Sequence, residues 1–145
     1  MSQAPPIVKA AGRIMVEIEQ AADAFPRKRR YTLGTELRHD ALNLVLLAQQ
    51  VFRATRDRQR QLVHIEALSD TIDQLRLRLQ LAMRLQCLSW ARFEALIRLV
   101  RDLGRQCGAW RRSILHGKGQ NPPASAPAER PSILSAAAAS AEAYS

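Results

Sequence analysis

Two cysteines, Cys87 and Cys107, are all that this sequence has, and each sits inside an apolar helical pattern. With no disulfide framework and no Cys-x-x-Cys motif, a disulfide-stapled secreted fold is disfavoured and a reducing, cytoplasmic compartment is expected. Long apolar runs are missing too. No uninterrupted segment approaches the roughly 18 residues that a membrane span requires. The opening stretch, MSQAPPIVKAAGRIMVEIEQ, has no extended apolar region of the kind a signal peptide carries. Aromatic residues make up only 5% of the chain, which leaves little for a stacking surface.

The residue patterns of catalysis are equally scarce. There is no zinc-ligand spacing, no glycine-rich phosphate loop and no nucleophile elbow. Glu36 and His39 have the Glu-x-x-His spacing that places two metal ligands on one helix face in di-iron bundles. Such a site needs a second copy and two more inward carboxylates, and the sequence has no second copy. No metal, cofactor or catalytic residue is therefore assigned, and an enzyme is not expected.

What the chain does have is arginine, leucine and alanine, a composition that favours helices. Its 145 residues suffice for one core plus a tail. The formal net charge is +9, with nineteen Arg and three Lys. From Gly117 onward Lys118 and Arg130 balance Glu129 and Glu142, so the whole excess belongs to the part before it. A compact basic body points to a polyanionic partner: nucleic acid, an acidic protein or an acidic membrane surface.

Four helical seams can be traced by steps of three and four residues. The first predicted helix follows Pro5-Pro6 and carries Ile7, Ala11, Ile14, Ile18, Ala21 and Phe25; Pro26 ends it. The second, capped by Thr32 or Thr35, carries Leu37, Ala41, Leu44, Ala48 and Val51, with Leu42, Val45, Leu46 and Phe52 widening its apolar face. No Gly or Pro stops it near Thr55–Gln61. A turn is nevertheless expected, because an unbroken helix from Thr32 to Gln86 would run about 80 Å with no partner of that length. The third carries Ile65, Leu68, Ile72, Leu75, Leu79 and Ala82, plus a second stripe of Leu77, Leu81, Leu85 and Leu88. The fourth opens at Ser89 and carries Phe93, Leu96 or Ile97, Val100, Leu103, Cys107, Trp110 and Ile114 to its end near Gly117.

The fold class is thus all-α, an antiparallel up-down-up-down four-helix bundle over residues 1–117. Residues 118–145, rich in Pro, Ala and Ser, are expected to form a disordered tail. One core takes one apolar face per helix, so the Leu77–Leu88 stripe implies either a wide core face or a second copy of the chain. The latter favours a homo-oligomer.

Three basic features stand out. Arg27, Lys28, Arg29 and Arg30 form a run between the first two helices. Arg76, Gln80 and Arg84 make a polar line on the third, where Asp73 can bond Arg76. On the fourth, Arg98, Arg101, Arg105 and Arg112 share one face with Arg111 beside them, a spacing suited to phosphates or carboxylates. Glu94 can pair with Arg98, and the alternative for the whole stripe is a solvated face paired to acids on neighbouring helices. Gly104 and Gly108, one turn apart, cost a helix about 1 kcal/mol each and signal close approach of another backbone, in this chain or a neighbouring subunit.

Three stretches, FPRKRRYTLGTELR, DQLRLRLQLA and LGRQCGAWRRS, resemble one family. It is the four-helix-bundle family that contains the accessory variability determinant (Avd) proteins of diversity-generating retroelements, and also bundles encoded by intervening sequences of bacterial 23S rRNA genes. The resemblance spans about Ile7 to Ile114. It implies a basic, barrel-like homopentamer without catalytic activity that binds the element's reverse transcriptase and its RNA or cDNA. By matching motif it assigns Arg27, Lys28, Arg29, Arg30 and Arg76 to the basic surface. Gln80 departs from the family's second basic residue, which leaves Arg84 to take that place. Gly104, Gly108 and Trp110 become packing residues, with Arg111 and Arg112 just beyond. Leu77 and Leu81 are the candidate oligomer contacts. With Phe93 and Trp110 on the seam, base stacking and sequence specificity are expected to be weak. The rival functions are an rRNA-intervening-sequence bundle and a scaffold for an acidic protein.

Overall fold

The computed structural model describes residues 4–117, and the expected tail lies outside these described residues. Helix α1, Pro6–Asp23, starts with a proline whose missing N–H would have had no helical acceptor. Helix α2, Arg27–Arg30, is a single turn. The basic run is therefore not an irregular connection: the Pro26 carbonyl accepts from Arg29 and Arg30 N–H at 2.8 and 3.0 Å and winds it into helix. Helix α3, Leu33–Arg53, follows directly. Thr32 occupies the capping position, but its hydroxyl turns back to donate to the Lys28 and Arg29 carbonyls and does not cap α3.

Helix α4, Arg58–Arg84, begins at Asp57, whose carboxylate accepts from Arg60 N–H at 3.1 Å. This cap supplies the break that no Gly or Pro announces. Helix α5, Trp90–Leu115, is capped by Ser89, which accepts from Arg92 N–H at 3.1 Å, as expected. Among the described residues there is no strand.

Each long helix packs on two others: α1 against α3 and α5, and α4 against α3 and α5. Antiparallel neighbours follow from which residues meet. Asp40 near the start of α3 meets Arg78 near the end of α4, whereas Gln61 at the start of α4 reaches Val51 at the end of α3. Cys107 on α5 likewise lies against Ile65 on α4. The turn α2, the α4–α5 connection and the first turns of α3 and α5 therefore share one end of the bundle.

The predicted seams form one core. Every seam residue of α1, α3 and α4 is buried, and on α5 both Leu96 and Ile97 are buried while Phe93 is partly covered. The second stripe divides. Leu77, Leu81 and Leu85 are exposed, with Leu77 at 67%, whereas Leu88 lies beyond the helix and folds back into the core. A wide core face is excluded, and the three leucines face away from the chain.

The α4–α5 turn holds one strained residue. Cys87 N–H donates to the Ala82 carbonyl and Gln86 N–H to the Met83 carbonyl, a Schellman closure with Gln86 at φ 60°. Glycine is the usual occupant of that left-handed position, as Gly117 is (φ 67°) after α5. Replacing Gln86 with Gly should raise stability in a urea melt by about 0.5 kcal/mol, since relief of the left-handed strain outweighs the added freedom of the unfolded chain.

Candidate nucleic-acid interface

The seam of α5 turns its opposite side to solvent, and the arginines fall there. Arg98, Arg101, Arg105, Arg111 and Arg112 are all exposed. Two of them are engaged with acids: Arg105 with Asp102 and Arg111 with Glu66 of α4. Arg98, Arg101 and Arg112 have no carboxylate partner among the described residues, and the expected Glu94–Arg98 pair is not formed. The face is thus partly neutralised, by one local and one interhelical pair, and keeps three unpaired guanidinium groups.

Arg76 lies where α4 meets α5. It pairs with Asp73 at 3.2 Å, as the spacing predicted, and its side chain is largely covered. Burial lowers its pKa, and the positive charge of Arg101 across the helix junction adds to that push. The structure therefore brings Arg76 and Arg101 together from two separate sequence patterns, while Gln80 and Arg84 stay exposed further along α4.

Gly104 and Gly108 turn out not to be close-packed within the chain. A Cβ on Gly104 would meet only the Ile72 Cγ2 methyl, at 3.9 Å, and one on Gly108 only the tip of Arg112, at 3.6 Å. The close approach anticipated from these glycines has no partner inside the monomer. Trp110, by contrast, is wholly buried and is a core residue with no part in an outer surface.

At the end of the bundle, Arg27 and Lys28 are exposed, while Arg29 and Arg30 are half-buried, Arg30 donating to the Phe25 carbonyl at 3.4 Å. Burial raises the Cys87 thiol pKa, and the charges of Arg29 and Lys28 oppose that rise, which places the α4–α5 connection beside α2. Arg84 and Arg92 flank that connection and are exposed. The opposite end is basic as well, through Arg53, Arg56 and Arg60, which the sequence pattern did not single out. Arg58 there donates to the Ile114 carbonyl at 3.0 Å and to that of Leu115, closing the C-terminus of α5.

Among the described residues no group of three or more His, Cys, Asp or Glu could hold a metal ion, and no helix is long and apolar enough to cross a membrane. His39 is exposed and Glu36 faces Arg78, so the Glu-x-x-His spacing does not assemble a site. Burial pushes the Cys107 thiol up to about 12, leaving it a packing residue.

A family model described as bAvd-like matches residues 7–114, from the first turn of α1 to the last of α5. The chain belongs to the bAvd-like family. No curated protein matches, and no solved structure matches.

Within this bAvd-like chain the DQLRLRLQLA stretch has a function that the sequence pattern did not disclose. Arg78, two residues beyond Arg76, points to α3 instead of α5. Its Nη1 donates to both oxygens of Asp40, at 2.6 and 2.7 Å, and its Nη2 lies 3.4 Å from Glu36. Asp40 is almost wholly buried, 4% exposed at its side chain, and is the one charged residue among the buried residues of α3. Burial raises its carboxyl pKa, helped by Glu36 and opposed by Arg78 and His39. The unfolded chain therefore ionises Asp40 first, and the stability tied to this group is fully present below the ordinary carboxyl range and lost as pH rises through the raised value. Replacing Arg78 with Ala would leave that carboxylate buried without its counter-charge. Because Arg78 is itself a third exposed, the expected cost at pH 7 is about 2 kcal/mol, below that of a fully buried pair. Urea melts should show this cost shrinking as pH falls through the raised carboxyl value, because a protonated Asp40 no longer needs the guanidinium.

Proposed function

We propose that this bAvd-like chain is a non-catalytic accessory of a diversity-generating retroelement, one that self-associates and binds the element's reverse transcriptase and its RNA or cDNA. Family membership supports the accessory role and the polymerase as partner. The observation that carries the nucleic-acid part is the α5 face, where Arg98, Arg101 and Arg112 stand exposed without carboxylate partners. Neighbouring acids engage only Arg105 and Arg111, which leaves the other three charges open to a polyanion. Guanidinium forks spaced along about four turns suit a row of phosphates.

Self-association rests on the apolar side chains turned outward. Leu42 and Leu46 do so on α3, and Leu77 and Leu81 on α4. A head-to-tail ring of copies would cover these side chains on every subunit. A pentamer, as the family resemblance implies, is such a ring. Gly104 and Gly108, which meet no backbone of another helix in the chain, add a place where a neighbouring backbone can come close.

The test is fluorescence anisotropy with labelled RNA across a salt series. Affinity should fall by about three orders of magnitude between about 50 and 200 mM salt if some six phosphates are neutralised. Arg98→Gln, Arg101→Gln and Arg112→Gln should each flatten the log–log slope by about one per subunit that reaches the strand. An absence of RNA affinity at any salt, with retained binding to an acidic protein, would replace this function with that of a scaffold.

A further inference from the structure

The scarcity of aromatics anticipated no stacking surface, yet the two exposed aromatic side chains among the described residues share one end of the bundle. Tyr31, at the C-cap of α2, is 71% exposed, and Trp90, the first residue of α5, is 61% exposed. Both are embedded in positive charge: Tyr31 follows directly on Arg27–Arg30, and Trp90 sits between Arg84 and Arg92. The antiparallel order of α3, α4 and α5 brings the two segments to the same end of the bundle. Trp90 is also held in place. Its ring lies 5.8 Å, centroid to centroid, from that of Phe93, tilted by 33°, so Phe93 braces one side of the indole while most of its surface stays open. An indole braced in the open, with Arg84 and Arg92 on either side in sequence, has no use in the core of this chain.

Resting on the nucleic-acid function proposed above, we infer that this end binds single-stranded nucleic acid, with unpaired bases stacking on Trp90 and Tyr31 and phosphates held by the α2 run, Arg84 and Arg92. Stacking needs a base face that a duplex hides, whereas the arginines of α5 meet phosphates in either form. The opposite end carries Arg53, Arg56 and Arg60 but offers no exposed aromatic among the described residues, and Arg58 there is turned onto the α5 carbonyls. Charge favours the α2 end, and the aromatics single it out.

The experiment compares an oligouridylate strand with an RNA duplex of equal length, against the full chain at fixed salt. Trp90→Ala should weaken the single strand about tenfold and the duplex less than twofold. Trp90→Phe should keep most of the affinity because a ring remains, which also guards against a loss caused by misfolding. Intrinsic fluorescence gives a second readout, since Trp110 is fully buried: the strand should quench the wild type and leave Trp90→Phe unchanged. Equal losses on strand and duplex, or no loss in either Trp90→Ala or Tyr31→Ala, would overturn the stacking site while leaving the arginine face standing. A wild type that binds neither form would overturn the nucleic-acid function itself.

Discussion

Four helices packed side by side enclose room for one apolar stripe from each, and the rest of this structure follows from that limit. The seams of α1, α3, α4 and α5 fill the interior with close-packed aliphatic side chains around Phe25 and Trp110. Whatever else the sequence places on these helices must face outward or be neutralised at a helix junction. Leu77 and Leu81 each follow a seam position, Leu75 and Leu79, by two residues, roughly 200° round the helix, so the bundle cannot take them in, however apolar they are. The α5 arginines are turned away from their seam by the same geometry. The outer surface thus inherits both excess leucine and excess positive charge, and these are the two properties an assembly on a polyanion would use.

Charge in the bundle divides by how far it is buried. Three arginines at helix junctions have an acid: Arg78 with Asp40, Arg76 with Asp73, and Arg38 with Glu19 and Asp23 at 2.9 and 2.7 Å. The pairs of Arg78 and Arg38 join different helices, and all three offset desolvation without guaranteeing a net gain in stability. On the open face of α5 the acids run out. That contrast distinguishes the arginines that build the fold from those left for a partner, and it could not be drawn from spacing along a single helix.

Most of the architecture was legible in the sequence because it is written in local periodicity. The steps of three and four gave every core face, Ser89 and Gly117 marked the limits of α5, and the Asp73–Arg76 pair followed from its spacing. What escaped was non-local or a matter of side-chain choice. Asp40 and Arg78 are 38 residues apart, and no pattern on α3 announces the partner on α4. The α4–α5 turn uses Gln86 where a glycine would have flagged it, and α2 winds its four basic residues into helix from a proline carbonyl. Trp90 was legible as the residue after a cap but not as an exposed ring, because its exposure depends on where α5 starts relative to α2. The glycines of α5 were legible as a packing signal, and the monomer leaves that signal unanswered.

The central claim is that the outward leucines are covered by further copies of this chain, and the mass in solution tests it most directly. Static light scattering on the purified full-length protein should give a discrete species several times the 16.2 kDa of one chain, fivefold by the family's pattern, and Leu77→Glu with Leu81→Glu should reduce it to smaller units that keep their helical content. A wild-type protein that scatters as a single chain across its concentration range would contradict the account, leaving Leu77 and Leu81 exposed with no copy of the chain to cover them.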